Sequence, residues 1–140
     1  MLQEIKKWLL TFPGWQGIPM HVEYTDAQPE NLGLFSAGLQ ELQRKTDILG
    51  TVTVKNQWNF TLRWICAGQW SNEEPAQTLH RFQQWVQRQS FLGLAPQLGQ
   101  DTGWRAGKGK LESASQTGTG VYTVGLTVEY TKMMEEENED

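Results

Sequence analysis

The chain holds a single cysteine, Cys66, and only two histidines, His21 and His80, in 140 residues. A lone cysteine excludes an intrachain disulfide, so nothing in the sequence calls for an oxidising compartment. There is no His-Glu-x-x-His, no paired cysteine and no acidic loop of calcium-binding spacing, so no metal site is expected. Long apolar runs are missing too: no stretch approaches the roughly 18 apolar residues of a membrane helix. The first ten residues lack the apolar core and small-residue cleavage site of a secretion signal. The expectation is a soluble cytosolic chain with no membrane contact.

Charge is sparse, at 20% of residues, and unevenly placed. Residues 135–140 read Glu-Glu-Glu-Asn-Glu-Asp and hold five of the sixteen acids, a run too like-charged to fold alone. Residues 1–134 then carry eleven acids against twelve Lys and Arg. A nearly neutral body lacks the dense basic face of nonspecific duplex binding, so no specific nucleic-acid partner is expected. The domain division is one α+β domain over 1–134 and an acidic disordered tail over 135–140.

What is abundant is tryptophan, with seven residues, and alternation. Leu2, Ile5, Leu9 and Phe12 recur at helical steps until Pro13-Gly14 stops them. Met20, Val22 and Tyr24 alternate with polar residues as in a half-buried strand. Turn-rich residues from Asp26 to Gly38 follow. From Thr51 to Ala67, Val52, Val54, Trp58, Phe60, Leu62, Trp64 and Cys66 occupy even positions with polar residues between them. That is long for one strand, so it either projects past its sheet or bends near Asn56 and Gln57. Residues 39–46 pair with its first half across Asp47-Ile48-Leu49-Gly50, and this hairpin, polar on both faces, is expected to protrude as an arm.

Ser71-Asn72-Glu73-Glu74 is a capping box before Pro75, opening a second helix whose buried stripe is Ala76, Leu79, Phe82 and Val86. An apolar segment from Phe91 to Pro96 ends it and is expected to pack on the same core. A second hairpin runs from Lys108 to Lys132, turning at Gln116-Thr117-Gly118-Thr119, and its return strand alternates Tyr122, Val124, Leu126, Val128 and Tyr130. The order is α-β-β-β-α-β-β, which predicts a mainly antiparallel sheet with two helices on one face.

Chemistry-bearing groups are few. His21 falls on the polar phase of its strand, and His80 lies beside the helix stripe. Cys66 sits on the apolar phase, where a small buried hydrophobe fits better than a nucleophile. Gly103-Trp104-Arg105-Ala106-Gly107-Lys108-Gly109-Lys110 invites a phosphate-loop assignment, but its spacing is wrong, with Thr102 and Gly109 where Gly and Ser or Thr are required. It reads as a mobile loop, with Arg105, Lys108 and Lys110 beside Trp104 as an alternative small anion- or protein-binding patch. The tryptophans can fill a core or anchor an interface, and at least two are expected at an interface. Arg44, Lys45, Lys55 and Trp58 on the arm join that candidate interface. No catalytic, cofactor-binding or metal-binding residue is assigned.

The element order resembles a family of small proteins encoded among tailed-phage and prophage structural genes, the minor capsid or tail terminator proteins. Gln84-Trp85-Val86-Gln87 leading to Leu94-Ala95-Pro96, and Ala114-Ser115-Gln116-Thr117-Gly118-Thr119, carry the likeness over residues 1 to about 132. The resemblance implies a homo-oligomeric ring, usually a hexamer, that caps the tail tube and joins it to the head. Its partners would be further copies of itself, the tail tube protein and head-tail connector proteins. Its place would be the virion, after assembly in the host cytoplasm. Another connector, a minor capsid protein or a tail tube subunit is the alternative, followed by a small enzyme using His21, His80 or Cys66.

Overall fold

A computed structural model describes residues 2–25, 30–67, 74–114 and 119–134. The elements in chain order are α1 (Leu2–Leu9), a 3-10 turn (Pro13–Trp15), β1 (Met20–Val22), β2 (Asn31–Thr46), β3 (Val52–Ala67), α2 (Glu74–Phe91), β4 (Gln100–Ala106), β5 (Lys110–Ala114) and β6 (Thr119–Met134). The fold is α+β, as expected, with one strand more than the sequence order suggested.

The sheet runs β1-β2-β3-β6-β4, and β5 also pairs with β6. All pairings are antiparallel except β1 with β2. Its center is β3, hydrogen-bonded to β2 on one side and to β6 on the other along its whole length, from Val52↔Met134 to Ala67↔Thr119. One face carries Leu32, Leu34, Phe60, Leu62, Trp64, Val124, Leu126 and Val128, all buried in one cluster with Ile5, Leu9, Phe12, Leu79, Phe82 and Val86 from the helical side. Both helices therefore cover the same face. The period-two alternation of the strands and the three- and four-residue steps of the helices meet there, which is why one core suffices.

Aromatic rings fill the middle of this layer. Trp15 meets Trp64 edge-on at 5.1 Å, Phe12 meets Phe82 at 5.4 Å, and Trp8 lies between Trp85 at 5.2 Å and Trp104 at 4.8 Å. Such offset and edge contacts add to the burial of large apolar area. Trp8 was not part of the expected α1 stripe, yet it is buried with Ile5 and Leu9 and donates its indole N–H to Gln89 Oε1 at 3.0 Å.

Several expectations are corrected. The turn-rich stretch to Gly38 is in fact strand from Asn31 onward, while Asp26–Pro29 lie outside the described residues. Gly33 and Gly38 misled because the first pairs within the strand, opposite Arg63, and the second sits at one of two β2 bulges, at 36/38 and 41/43, that break the alternation. The second of these bulges lies opposite Asn56, so the irregularity expected near Asn56 and Gln57 falls on the neighbouring strand, while β3 itself projects and runs on without interruption beside β6. Tyr24 lies beyond the end of β1 and is exposed, since Glu23 turns the chain at φ 68°. Ala76 is exposed; the α2 stripe is Pro75, Thr78, Leu79, Phe82 and Val86. Phe91, Leu92 and Leu94 do not pack on the core: Phe91 is 87% exposed, and of the segment's apolar side chains Ala95 is the one buried. The capping residues Ser71–Glu73, the turn residues 115–118 and the acidic run 135–140 lie outside the described residues.

The segment expected to be a mobile loop holds β4 and the start of β5. β4 pairs with β6 through Gly103↔Glu129, Trp104↔Val128 and Ala106↔Leu126, after a bulge between Gln100 and Gly103 where Asp101 takes φ 52°. That bulge leaves two inward positions, Trp104 and Ala106, too few to register as alternation in the sequence.

Candidate protein-interaction surface

Beyond Leu34 the sheet outgrows its helical cover. Every residue from Ser36 to Gly50 is exposed, so the hairpin leaves the core as its two-sided polarity demanded. The arm is not two-stranded, however. β6 follows β3 to the end, so the projection is a three-stranded ribbon made of the outer parts of β2, β3 and β6. A third strand explains how so polar an extension holds its shape, because a lone hairpin is marginal in water.

Asp47 organises the tip. Its Oδ1 accepts from the backbone N–H groups of Leu49 and Thr51, each at 2.9 Å, and its own N–H donates to the Thr51 carbonyl at 3.0 Å. Gly50 closes the turn at φ 88°, in the left-handed region that glycine enters without steric cost. Ile48 and Leu49 are thereby held outward, 101% and 87% exposed. Two adjacent aliphatic side chains bared on an ordered turn stabilise nothing in the monomer.

The ribbon's side chains divide by face. Leu39, Glu41, Arg44 and Thr46 oppose Trp58, Asn56, Val54 and Val52 on the helix side. Trp58 is half-buried and donates its indole N–H to Ser36 Oγ at 3.0 Å. Arg44 forms a bidentate pair with Glu41, at 2.8 and 3.2 Å, which draws the Glu41 carboxyl below its ordinary range and raises the guanidinium. Lys45 is exposed near the tip.

On the opposite, uncovered face a residue that the sequence did not flag becomes the hub. Glu129 accepts from Gln57 Nε2 at 3.0 Å and from Arg105 at 3.0 Å, and Lys55 stands 3.5 Å away. The Gln57 hydrogen bond first, then Arg105, hold its carboxyl below the usual range. Asn59 extends the chain of contacts to Gln57 and Thr127. Lys55 from the expected arm and Arg105 from the expected loop thus meet on one carboxylate, because β3, β6 and β4 are consecutive in the sheet. With Asp101 and Thr131 they line a shallow cleft of about 330 Å³. No sequence signal marked Glu129, since a glutamate on the polar phase of a strand is ordinary.

Trp104 is placed elsewhere than at a surface. It is 4% exposed, its indole N–H donates to the Pro96 carbonyl at 2.8 Å, and its ring is packed beside Trp8 and Phe60. It is a core residue of the monomer, not an available contact. Lys108 and Lys110 flank the start of β5 and are exposed, apart from the Glu129 hub.

The candidate catalytic groups lie on separate elements. Cys66 is buried on β3, where desolvation and then the nearby Glu30 carboxylate push its thiol up to about 12. It is protonated at neutral pH and is not a nucleophile in this state. His21 is on β1 with its ring stacked on Tyr24 at 4.4 Å, and His80 is on the exposed side of α2. Among the described residues no three His, Cys, Asp or Glu side chains are grouped to hold a metal ion, and no helix is long and apolar enough to cross a membrane. Compared with protein-family models and with curated proteins, the chain matches none.

Proposed function

We propose that the chain is a structural subunit of a phage tail, a tail terminator that forms a homo-oligomeric ring, six copies in the ring the resemblance implies, between tail tube and head. The observation that carries this reading is the three-stranded ribbon, which leaves the core and ends in two bared aliphatic residues. A monomer gains nothing from such a projection, whereas a ring subunit must present two different patches to its two neighbours. The outer edge of β2 past Phe35 has no partner strand among the described residues, which leaves backbone groups for a neighbour. The tail tube protein and head-tail connectors would be the other partners, and the virion the place of action. Another connector, a minor capsid protein or a tail tube subunit would use the same features and differ in position along the tail.

Electron microscopy of particles made without this protein tests the assignment. Overlong or headless tails are the expected result. Normal, infectious virions would overturn it.

A further inference from the structure

Between the Phe12–Gly14 turn and α2 lies a groove of about 710 Å³. Its floor is apolar, formed by the edge of Phe12, by Pro13 and by Trp85, and Arg81 and Arg88 stand on its α2 side. Arg81, Trp85 and Arg88 are spaced four and three residues apart, so a single face of α2 presents an indole between two guanidinium groups. Gly14 keeps the floor open: a Cβ there would come within 2.5 Å of the Phe12 ring, so its backbone can lie against the ring only as glycine. Both arginines are exposed, and Trp85 is half-buried.

A ligand for such a groove must be apolar in one part and anionic in another. The chain itself carries that combination at one place. Met134 lies opposite Val52 at the far end of the ribbon, beside the turn that bares Ile48 and Leu49. Directly after Met134 come six residues, five of them acidic. The ribbon end is therefore apolar, with the chain's densest negative charge attached to it.

The same copy cannot easily supply it. Trp85 is linked through Trp8 and Trp104 to the level of Val128 in β6, and Met134 is six residues further along an extended strand, about 20 Å away. Residues 135–140 drawn out fully span about the same distance, so folded back they would bring only Asp140 to the arginines and leave the other four acids short of them. A neighbouring molecule has no such limit.

We propose that this groove receives the ribbon end of a second copy of the chain, with Ile48, Leu49 and Met134 on the Phe12, Pro13 and Trp85 floor and the acidic run 135–140 on Arg81 and Arg88. The contact is heterologous, using different surfaces on the two molecules, so repeating it builds a ring or an open chain of subunits. It deepens the ring assignment and rests on it for the closed form, but the pairwise contact can be tested without any phage particle.

The test uses two full-length variants and sedimentation velocity across protein concentration and salt. In one, the acids are neutralised (Glu135→Gln, Glu136→Gln, Glu137→Gln, Glu139→Gln, Asp140→Asn). In the other, the groove is reversed (Arg81→Glu, Arg88→Glu). The parent chain should self-associate, more weakly at high salt, and each variant should associate about two- to thirtyfold more weakly, as expected for losing a pair of exposed ion contacts. Mixing the two should give a heterodimer and nothing larger, because the second variant keeps its acidic run and the first keeps its groove. Arg81→Gln with Arg88→Gln, a milder change, should reproduce the loss if the double reversal perturbs folding. The proposal is overturned by a monomeric parent at every concentration, by variants that assemble like the parent, or by a mixture that stays monomeric. Unaltered assembly would remove the groove contact and leave the ring assignment standing; normal virions without the protein would do the reverse.

Discussion

Val52 and Met134 face each other as the last pair of the β3–β6 ladder, so the C-terminal strand ends beside the turn that joins β2 to β3. This pairing makes the projection a ribbon of three strands and brings exposed Met134, the residue before the acidic run in the sequence, to the end that bares Ile48 and Leu49. It also separates stability from assembly. Residues at the ribbon tip can change without touching the core, while those at the ribbon root cannot.

Replacing Ile48 and Leu49 by serine should leave the monomer's unfolding free energy in urea within about 0.5 kcal/mol of the parent, since neither side chain is buried. Self-association in the same preparation should fall sharply. Equal loss of both properties would show that the tip contributes to folding and is not simply a contact.

Trp104→Ala should cost about 3 to 5 kcal/mol in denaturant unfolding, the range for removing a large buried ring. The indole fills space beside Trp8 and Phe60 and satisfies the Pro96 carbonyl. A loss under about 1 kcal/mol would mean that Trp104 is not in the core.

Glu129→Gln should cost less than about 1 kcal/mol at neutral pH, because its partners Lys55 and Arg105 are at the surface and are screened by water. The folded-state carboxyl is lowered, so its contribution is fully present above the ordinary carboxylate pKa and is lost as pH falls through the folded value. The stability difference between parent and variant should therefore shrink toward zero in acid. Urea midpoints measured from neutral pH down to about pH 3 would show it.

Cys66 should resist alkylation at neutral pH in the native protein and react only as the chain unfolds, given its burial and a thiol raised to about 12. The labelling rate in increasing urea should follow global unfolding. Rapid labelling without denaturant would contradict its place in the β3 core.

Asp47→Ala should loosen the tip turn, which depends on two backbone hydrogen bonds to one carboxylate oxygen. The expected cost is about 1 kcal/mol, with faster amide exchange at Leu49 and Thr51. Unchanged exchange at these two amides would argue that Gly50 alone sets the turn.

By itself the sequence determined the elements whose pattern is local. The alternation of Phe60, Leu62 and Trp64, the steps of Ile5 and Leu9, and those of Leu79, Phe82 and Val86 each specify one buried face, because side-chain direction repeats every two residues in a strand and about every 3.6 in a helix. The exposed course of residues 39–46 was legible for the same reason, since neither face had anything to bury. Tertiary structure alone decided that β6 runs the full length of the ribbon, that β4 forms across a bulge with Trp104 beneath it, that Phe91 and Leu94 stay in water, and that Lys55 and Arg105 share Glu129. Each of these depends on which distant strand lies alongside. Registers such as Val52↔Met134 and Trp104↔Val128 join residues far apart in the chain, and no local pattern of hydrophobic and polar residues encodes which partner a strand edge will meet.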